Sequence, residues 1–243
     1  MRHFKIKVAD LYVELTSRFA LTVEICRDYL TEAPWTDFSI AVTQAEIDAK
    51  RASFSAPLSE EQAECICLHE KFCLQLCRYD AFVMHAAAFM FRDRTYAIAA
   101  PRGVGKSTQL RLWQEKFGGE VRVINGDKPV VRLRSDGRFW IYGTPWCGKE
   151  ALHQNRSAPL RAICFLFQGQ ENALQPLTPA EALPLLLSQT PFRLHREDMD
   201  RLLAAADRLL RETNVFRLIC RNDDSAAYFV REKLFPDQAK AID

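Results

Sequence analysis

Apolar and polar residues alternate at the start of the chain. Phe4, Ile6 and Val8 share one side of an extended segment, as do Leu11, Val13 and Leu15. A period of two marks half-buried strands, so the pattern predicts two short strands meeting near Ala9-Asp10. Residues 37–43 read as another strand. Over residues 58–79 the pattern turns helical, with Ser59 placed to cap the helix and Gln62 three residues on. Residues 1–80 therefore read as a small α+β module.

From residue 81 the chain becomes more apolar. Residues 82–91 and 95–100 predict two strands joined by Arg92-Asp93-Arg94. Leu110, Trp113 and Phe117 then fall at helical spacing, and Gly118-Gly119 stops the helix. A short strand over 121–124 ends at Asn125-Gly126-Asp127. Segments 130–133 and 138–142 flank the turn Ser135-Asp136-Gly137, which predicts a hairpin. A loop over 143–150 precedes a strand over 162–167, helices over 179–189 and 197–212, and a last strand over 215–220. Asn222 or Asp223 is expected to cap a final helix that ends before Pro236. Hairpins mixed with βα units imply an α/β (mixed α+β) fold with a mixed sheet over residues 81–243. No linker, repeat or low-complexity tract interrupts the chain.

The segment 94–108 carries the strongest chemical signal. It reads as a strand, a glycine turn, and a helix opening at Gly105-Lys106-Ser107. That is the layout of a phosphate-binding loop. Gly103 and Gly105 let several backbone N–H groups curl into one hollow, and the helix N-terminus adds positive potential there. Arg102, Gly103, Val104, Gly105, Lys106, Ser107 and Thr108 form the expected nucleotide-binding set. Lys106 would reach the β- and γ-phosphates, and the Ser107 hydroxyl would hold Mg²⁺. Ala100 stands where the full pattern has its first glycine, which costs little if its φ is negative.

Other candidates surround this loop. A Mg–nucleotide site needs a carboxylate, and Asp127 ends the strand that follows the loop helix. His85 lies just upstream of the loop strand; strands adjacent in sequence are usually neighbours, although a lone histidine among alanines also suits a core. Lys149 offers either a cation for transferring charge or an exposed surface lysine. Trp146 is either a wall for substrate or simple packing.

Composition narrows the partners. Lys and Arg number 33 against 31 Asp and Glu, a net charge of +2, which argues against a dedicated nucleic-acid or acidic-membrane partner. The apolar stretch 81–91 is too short to span a bilayer. The opening Met-Arg-His-Phe-Lys has no apolar signal core, so a cytoplasmic location is expected. Homo-oligomerisation stays open. Cys65, His69, Cys73 and Cys77 sit four apart on one helix, a tempting zinc pattern. Ligands at that spacing rise about 6 Å per step and cannot all converge on one ion. The expectation is packed free thiols.

These residues together resemble the HPr kinase/phosphorylase family and, more distantly, ATP-dependent phosphoenolpyruvate carboxykinase. The resemblance spans about residues 82–234. It rests on Met84-His85-Ala86-Ala87, on residues 100–107, on Ile124-Asn125-Gly126-Asp127 and on Gly143-Thr144-Pro145-Trp146. It implies a mixed-sheet P-loop domain and transfer of the ATP γ-phosphate to a hydroxyl, often of a protein serine. It also implies that Lys106 and Ser107 bind phosphate and Mg²⁺, and that Asp127 joins the metal and catalytic cluster with His85 nearby. The family usually carries Asp-Asp where this chain has Gly126-Asp127. Glu120, Glu150 or His85 are the substitutes to examine. The signature that HPr-phosphorylating enzymes carry after this domain is missing, so HPr is not the expected acceptor. The expected activity is an ATP-dependent, Mg²⁺-requiring kinase acting on a serine of a peptide or protein, or on a small metabolite. The alternative is a catalytically impaired ATP-binding regulatory module. A carboxykinase-type decarboxylase would need a transition-metal ligand set and an arginine cluster, and neither is evident.

Overall fold

The alternating start folds as strands β1 (Arg2–Val8) and β2 (Leu11–Ser17), paired antiparallel from Arg2↔Ser17 to Val8↔Leu11. Ala9 and Asp10 turn the chain with φ of 55° and 56°, the positive values that two-residue hairpin turns use. Helix α1 (Ala20–Ile25) follows, then β3 (Phe38–Ala41), which adds to β2 in parallel. Helix α2 (Gln44–Ala52) is fixed by a capping box of Thr43 and Glu46. Helix α3 (Glu60–Leu76) has the expected box, with the Gln62 amide donating to Ser59 Oγ at 3.2 Å. The pattern missed α1 and α2. These elements close a core around Ile6, Leu15, Ile47, Leu68 and Phe72, and Val130, Tyr142 and Trp146 from later in the chain complete it.

The coordinates form a computed structural model that describes residues 1–190, 196–221 and 223–235. Asn222 and Pro236, named above for the last helix, lie outside the described residues. The predicted strand 82–91 is two strands, β4 (Ala81–Val83) and β5 (Ala86–Phe91), split at Met84-His85. The split has a cause. The Met84 N–H donates to Pro129 O and the His85 N–H to Gln189 O, so β4 turns away to pair with a different neighbour. β6 (Arg94–Ala99) returns antiparallel to β5, and α4 (Lys106–Phe117) ends at Gly118. Then come β7 (Val121–Asn125), β8 (Val130–Leu133) and β9 (Phe139–Tyr142). β10 (Ser157–Gln168) starts five residues before the expected strand, and β11 (Ala173–Pro176) was not expected. The chain continues through α5 (Pro179–Ser188), α6 (Arg196–Glu212), β12 (Asn214–Cys220) and α7 (Ser225–Leu234). The N-cap of α7 is Asp224, whose side chain makes no capping hydrogen bond, while Asp223 accepts the Ser225 N–H at 3.0 Å just before the helix.

The larger sheet runs β4-β8-β9-β10-β6-β5-β7, with β12 beside β10 and β11 outside it. β10 joins its two halves. Residues 157–159 pair antiparallel with β9, whereas residues 160–165 pair in parallel with β6 across a bulge at Leu160/Ala162, and residues 162–168 pair in parallel with β12. The protein is therefore a mixed α/β fold with mixed sheets. Both faces of the central strands are covered. Ala97 and Ala99 of β6 face the α5–α6 core, while Tyr96 and Ile98 face the α4–α7 core. This explains why β5 and β6 read as continuous apolar runs rather than alternating ones. Among the described residues no helix is long and apolar enough to cross a membrane.

Candidate functional site

The glycine turn lies between the C-terminal end of β6 and α4. Gly103 has φ +86° and Gly105 φ +121°, conformations that side-chain-bearing residues rarely adopt. Ala100 is not among the residues of positive φ, so its methyl group causes no strain. Of the amides from Arg102 to Gly105, only Val104 donates to a backbone carbonyl among the described residues, that of Pro101. No side chain caps α4. The loop thus presents uncommitted N–H donors at a helix N-terminus, where the dipole favours anions. Lys106 is buried, and its Nζ donates to Ala100 O at 2.8 Å across the base of the loop. Burial lowers its pKa from the usual 10.5, and the Asp127 carboxylate opposes that shift.

β7 ends opposite the loop. One Asp127 oxygen lies 3.1 Å from His85 Nε2, and the other lies 3.4 Å from Lys128 Nζ. Burial works to raise the Asp127 pKa, but the His85 hydrogen bond and the Lys128 charge outweigh it, and the group lies below the ordinary 3.8. His85 sits at the break between β4 and β5 rather than inside a strand, so its ring leaves the sheet toward Asp127.

Asn125 sets the turn that carries Asp127. It is fully buried. Its Oδ1 accepts the N–H of Asp127 at 2.9 Å and of Lys128 at 2.7 Å. Its Nδ2 donates to Thr144 O, Thr144 Oγ1 and Trp146 O at 3.0, 3.2 and 3.4 Å. A single amide therefore ties the acidic turn to the 143–148 loop. Nothing local in the sequence sets Asn125 or Lys128 apart. An asparagine two residues before an aspartate is a common turn former, and only its burial shows the larger role.

His85, Arg102, Ser107, Gly126, Asp127 and Lys128 line one cavity of about 620 Å³, together with Cys147, Lys149, Glu150 and Leu152. Lys149 and Glu150 are exposed there. Glu120 is elsewhere. It precedes β7 at the end opposite Asp127 and pairs with Arg92 at 2.6 Å. Five strand residues separate the two by about 16 Å, so Glu120 does not replace the missing carboxylate. The Gly126 position is tight on the side of Leu152. A Cβ there would stand 3.3 Å from Leu152 Cβ and 3.4 Å from Leu152 O.

Trp146 is packing rather than a substrate wall. It is buried between His69 and Phe72 of α3, with ring centroids 5.0 and 4.9 Å away. Cys65, Cys73 and Cys77 are buried free thiols, and Cys73 Sγ lies 3.4 Å from His69 Nε2. Burial drives the His69 pKa down from 6.5 to about 3; Lys128 adds to the shift and Asp127 opposes it. Between those values the unfolded chain binds a proton that the folded chain does not, so stability falls as pH drops from 6.5 toward 3. His69→Phe should flatten this part of the pH dependence of the urea midpoint. Equal slopes for wild type and variant would show that His69 is not held neutral.

No family model matches the chain, and no curated protein matches it. Among solved structures it is similar to the HPr(Ser) kinase/phosphatase from Coxiella burnetii, with 8% identity and a TM-score of 0.35. The match covers 63% of this chain and 97% of that one. So loose a superposition leaves the functional reading to the chain's own residues.

Proposed function

We propose that this protein is an ATP-dependent phosphotransferase that moves the γ-phosphate to a hydroxyl acceptor. The acceptor would be a serine of a peptide or protein, or a small metabolite. One observation carries the reading: Ser107 from the start of α4 and Asp127 from the turn after β7 line the same cavity, and the Asp127 charge acts on Lys106. The loop amides and Lys106 would neutralise the triphosphate. Ser107 Oγ and Asp127 are hard oxygen donors of the kind Mg²⁺ takes, so the residues present fit that ion. When bound, Mg²⁺ would screen the phosphate charge. The His85–Asp127 pair would accept the acceptor's hydroxyl proton as the new O–P bond forms and the bond to the β-phosphate breaks, releasing ADP. Few further groups are needed, because such transfer depends mainly on positioning and electrostatics.

A second reading is supported by Gly126. With one carboxylate where the resembled family has two, the site would bind ATP and use occupancy as a switch without transfer. Leu152 packs against Gly126, so a side chain added there needs Leu152 to give slightly.

Transfer of labelled γ-phosphate from Mg–ATP in lysate of the source cell separates the two readings. Label in the protein or small-molecule fraction with wild type, and none with Asp127→Asn, is the expected result. ATP binding without label in any fraction would replace the kinase with the switch.

A further inference from the structure

We infer that Lys128 is a second phosphate-contacting cation, one that reads the terminal phosphate of a nucleoside triphosphate. The inference rests on the phosphotransfer reading and adds a specificity-determining residue to the same site.

The backbone of Lys128 is fixed on both sides. Its N–H donates to Asn125 Oδ1 at 2.7 Å, and its carbonyl accepts from Thr144 Oγ1 at 2.8 Å. Pro129 follows it. The side chain is different: it lines the cavity with Ser107 and Arg102, is 34% exposed, and its ammonium stands 3.4 Å from Asp127 Oδ2. A pinned base with a flexible four-carbon stem gives a cation of defined reach and adjustable aim. Arg102 and Lys149 also line this cavity, but both are exposed, and neither backbone is pinned by a buried side chain.

Both oxygens of Asp127 already face positive groups, His85 on one and Lys128 on the other. A divalent cation arriving at Asp127 would repel the Lys128 ammonium at close range. The phosphate that accompanies the metal is the anion within its reach. Gly126 provides no second carboxylate. Among the cations lining the cavity, Lys128 is the one whose backbone N–H is held by a buried side chain, that of Asn125. Lys106 is anchored at Ala100 O beneath the loop.

The test is the ratio of MgATP to MgADP affinity by calorimetry in wild type, Lys128→Met, Lys128→Arg and Lys106→Ala. Loss of Lys128 should weaken MgATP roughly ten- to hundredfold, the range of a hydrogen bond to a charged group, and MgADP by less than about threefold. Lys128→Arg keeps the charge and should keep the wild-type ratio within about threefold. Lys106→Ala should weaken both nucleotides. Equal weakening of ATP and ADP in Lys128→Met, or no weakening of either, overturns the role of Lys128 while leaving the nucleotide site in place. A wild type that binds neither nucleotide removes the phosphotransfer reading, and this inference with it.

Discussion

Lys106→Ala is expected to reduce γ-phosphate transfer by roughly 10³-fold, to the floor of most assays. The reason is geometric. Lys106 is the cation held inside the glycine loop, with its ammonium against Ala100 O and its charge balanced in part by Asp127. Removing one preorganised donor from a reacting oxyanion costs about 10²–10³-fold. Here the donor is also a full positive charge in a half-enclosed site, which places the loss at the upper end. Stability should move little, since a buried ammonium is itself costly and its pKa is already lowered by burial. Arginine should not rescue, because a planar guanidinium does not reproduce the compact point charge that Lys106 holds at Ala100 O. Activity retained in a folded Lys106→Ala protein would remove the loop from the mechanism.

Asn125→Ala is expected to have the second largest effect, and it should damage both stability and activity. Five hydrogen-bond contacts of one buried side chain disappear. The Asp127 and Lys128 amides lose their shared acceptor, and each buried unsatisfied group costs about 1–3 kcal/mol. We expect a loss of roughly 3 kcal/mol in urea unfolding. Transfer should fall as well, because Asp127 and Lys128 hang from the turn that Asn125 closes. Asn125→Asp should be no milder. It keeps Oδ1 but turns the donor that faces Thr144 O and Trp146 O into an acceptor inside the core. A variant with an unchanged urea midpoint would show that the 143–148 loop holds the turn without Asn125.

What could be read from the chain was what is local. The strand, glycine turn and helix around Lys106 lie within one short segment, and each residue type there has one main use. Ser59 with Gln62, and Ser135-Asp136-Gly137, are equally self-contained. The harder features depend on distant partners. The break at Met84-His85 is invisible in an apolar run, because Pro129 and Gln189 make it. Trp146 could not be assigned until α3 was packed against it. The first core takes Val130, Tyr142 and Trp146 from far along the chain, which no local pattern reveals. Helix α2 had a readable signal in Thr43 and Glu46, but Ile47 is its one buried residue, so hydrophobic spacing was silent. At the site, residue type identified Lys106, Ser107 and Asp127 as candidates. Burial and hydrogen bonding were needed to find Asn125 and Lys128.

The central claim is that the loop and the Asp127 turn enclose a Mg–triphosphate site. Calorimetric titration of MgATP into wild type and Lys106→Ala tests it most directly. Wild type should bind saturably at one site per chain, and the variant should lose that binding. No binding in wild type, or undiminished binding in a folded Lys106→Ala protein, would contradict it.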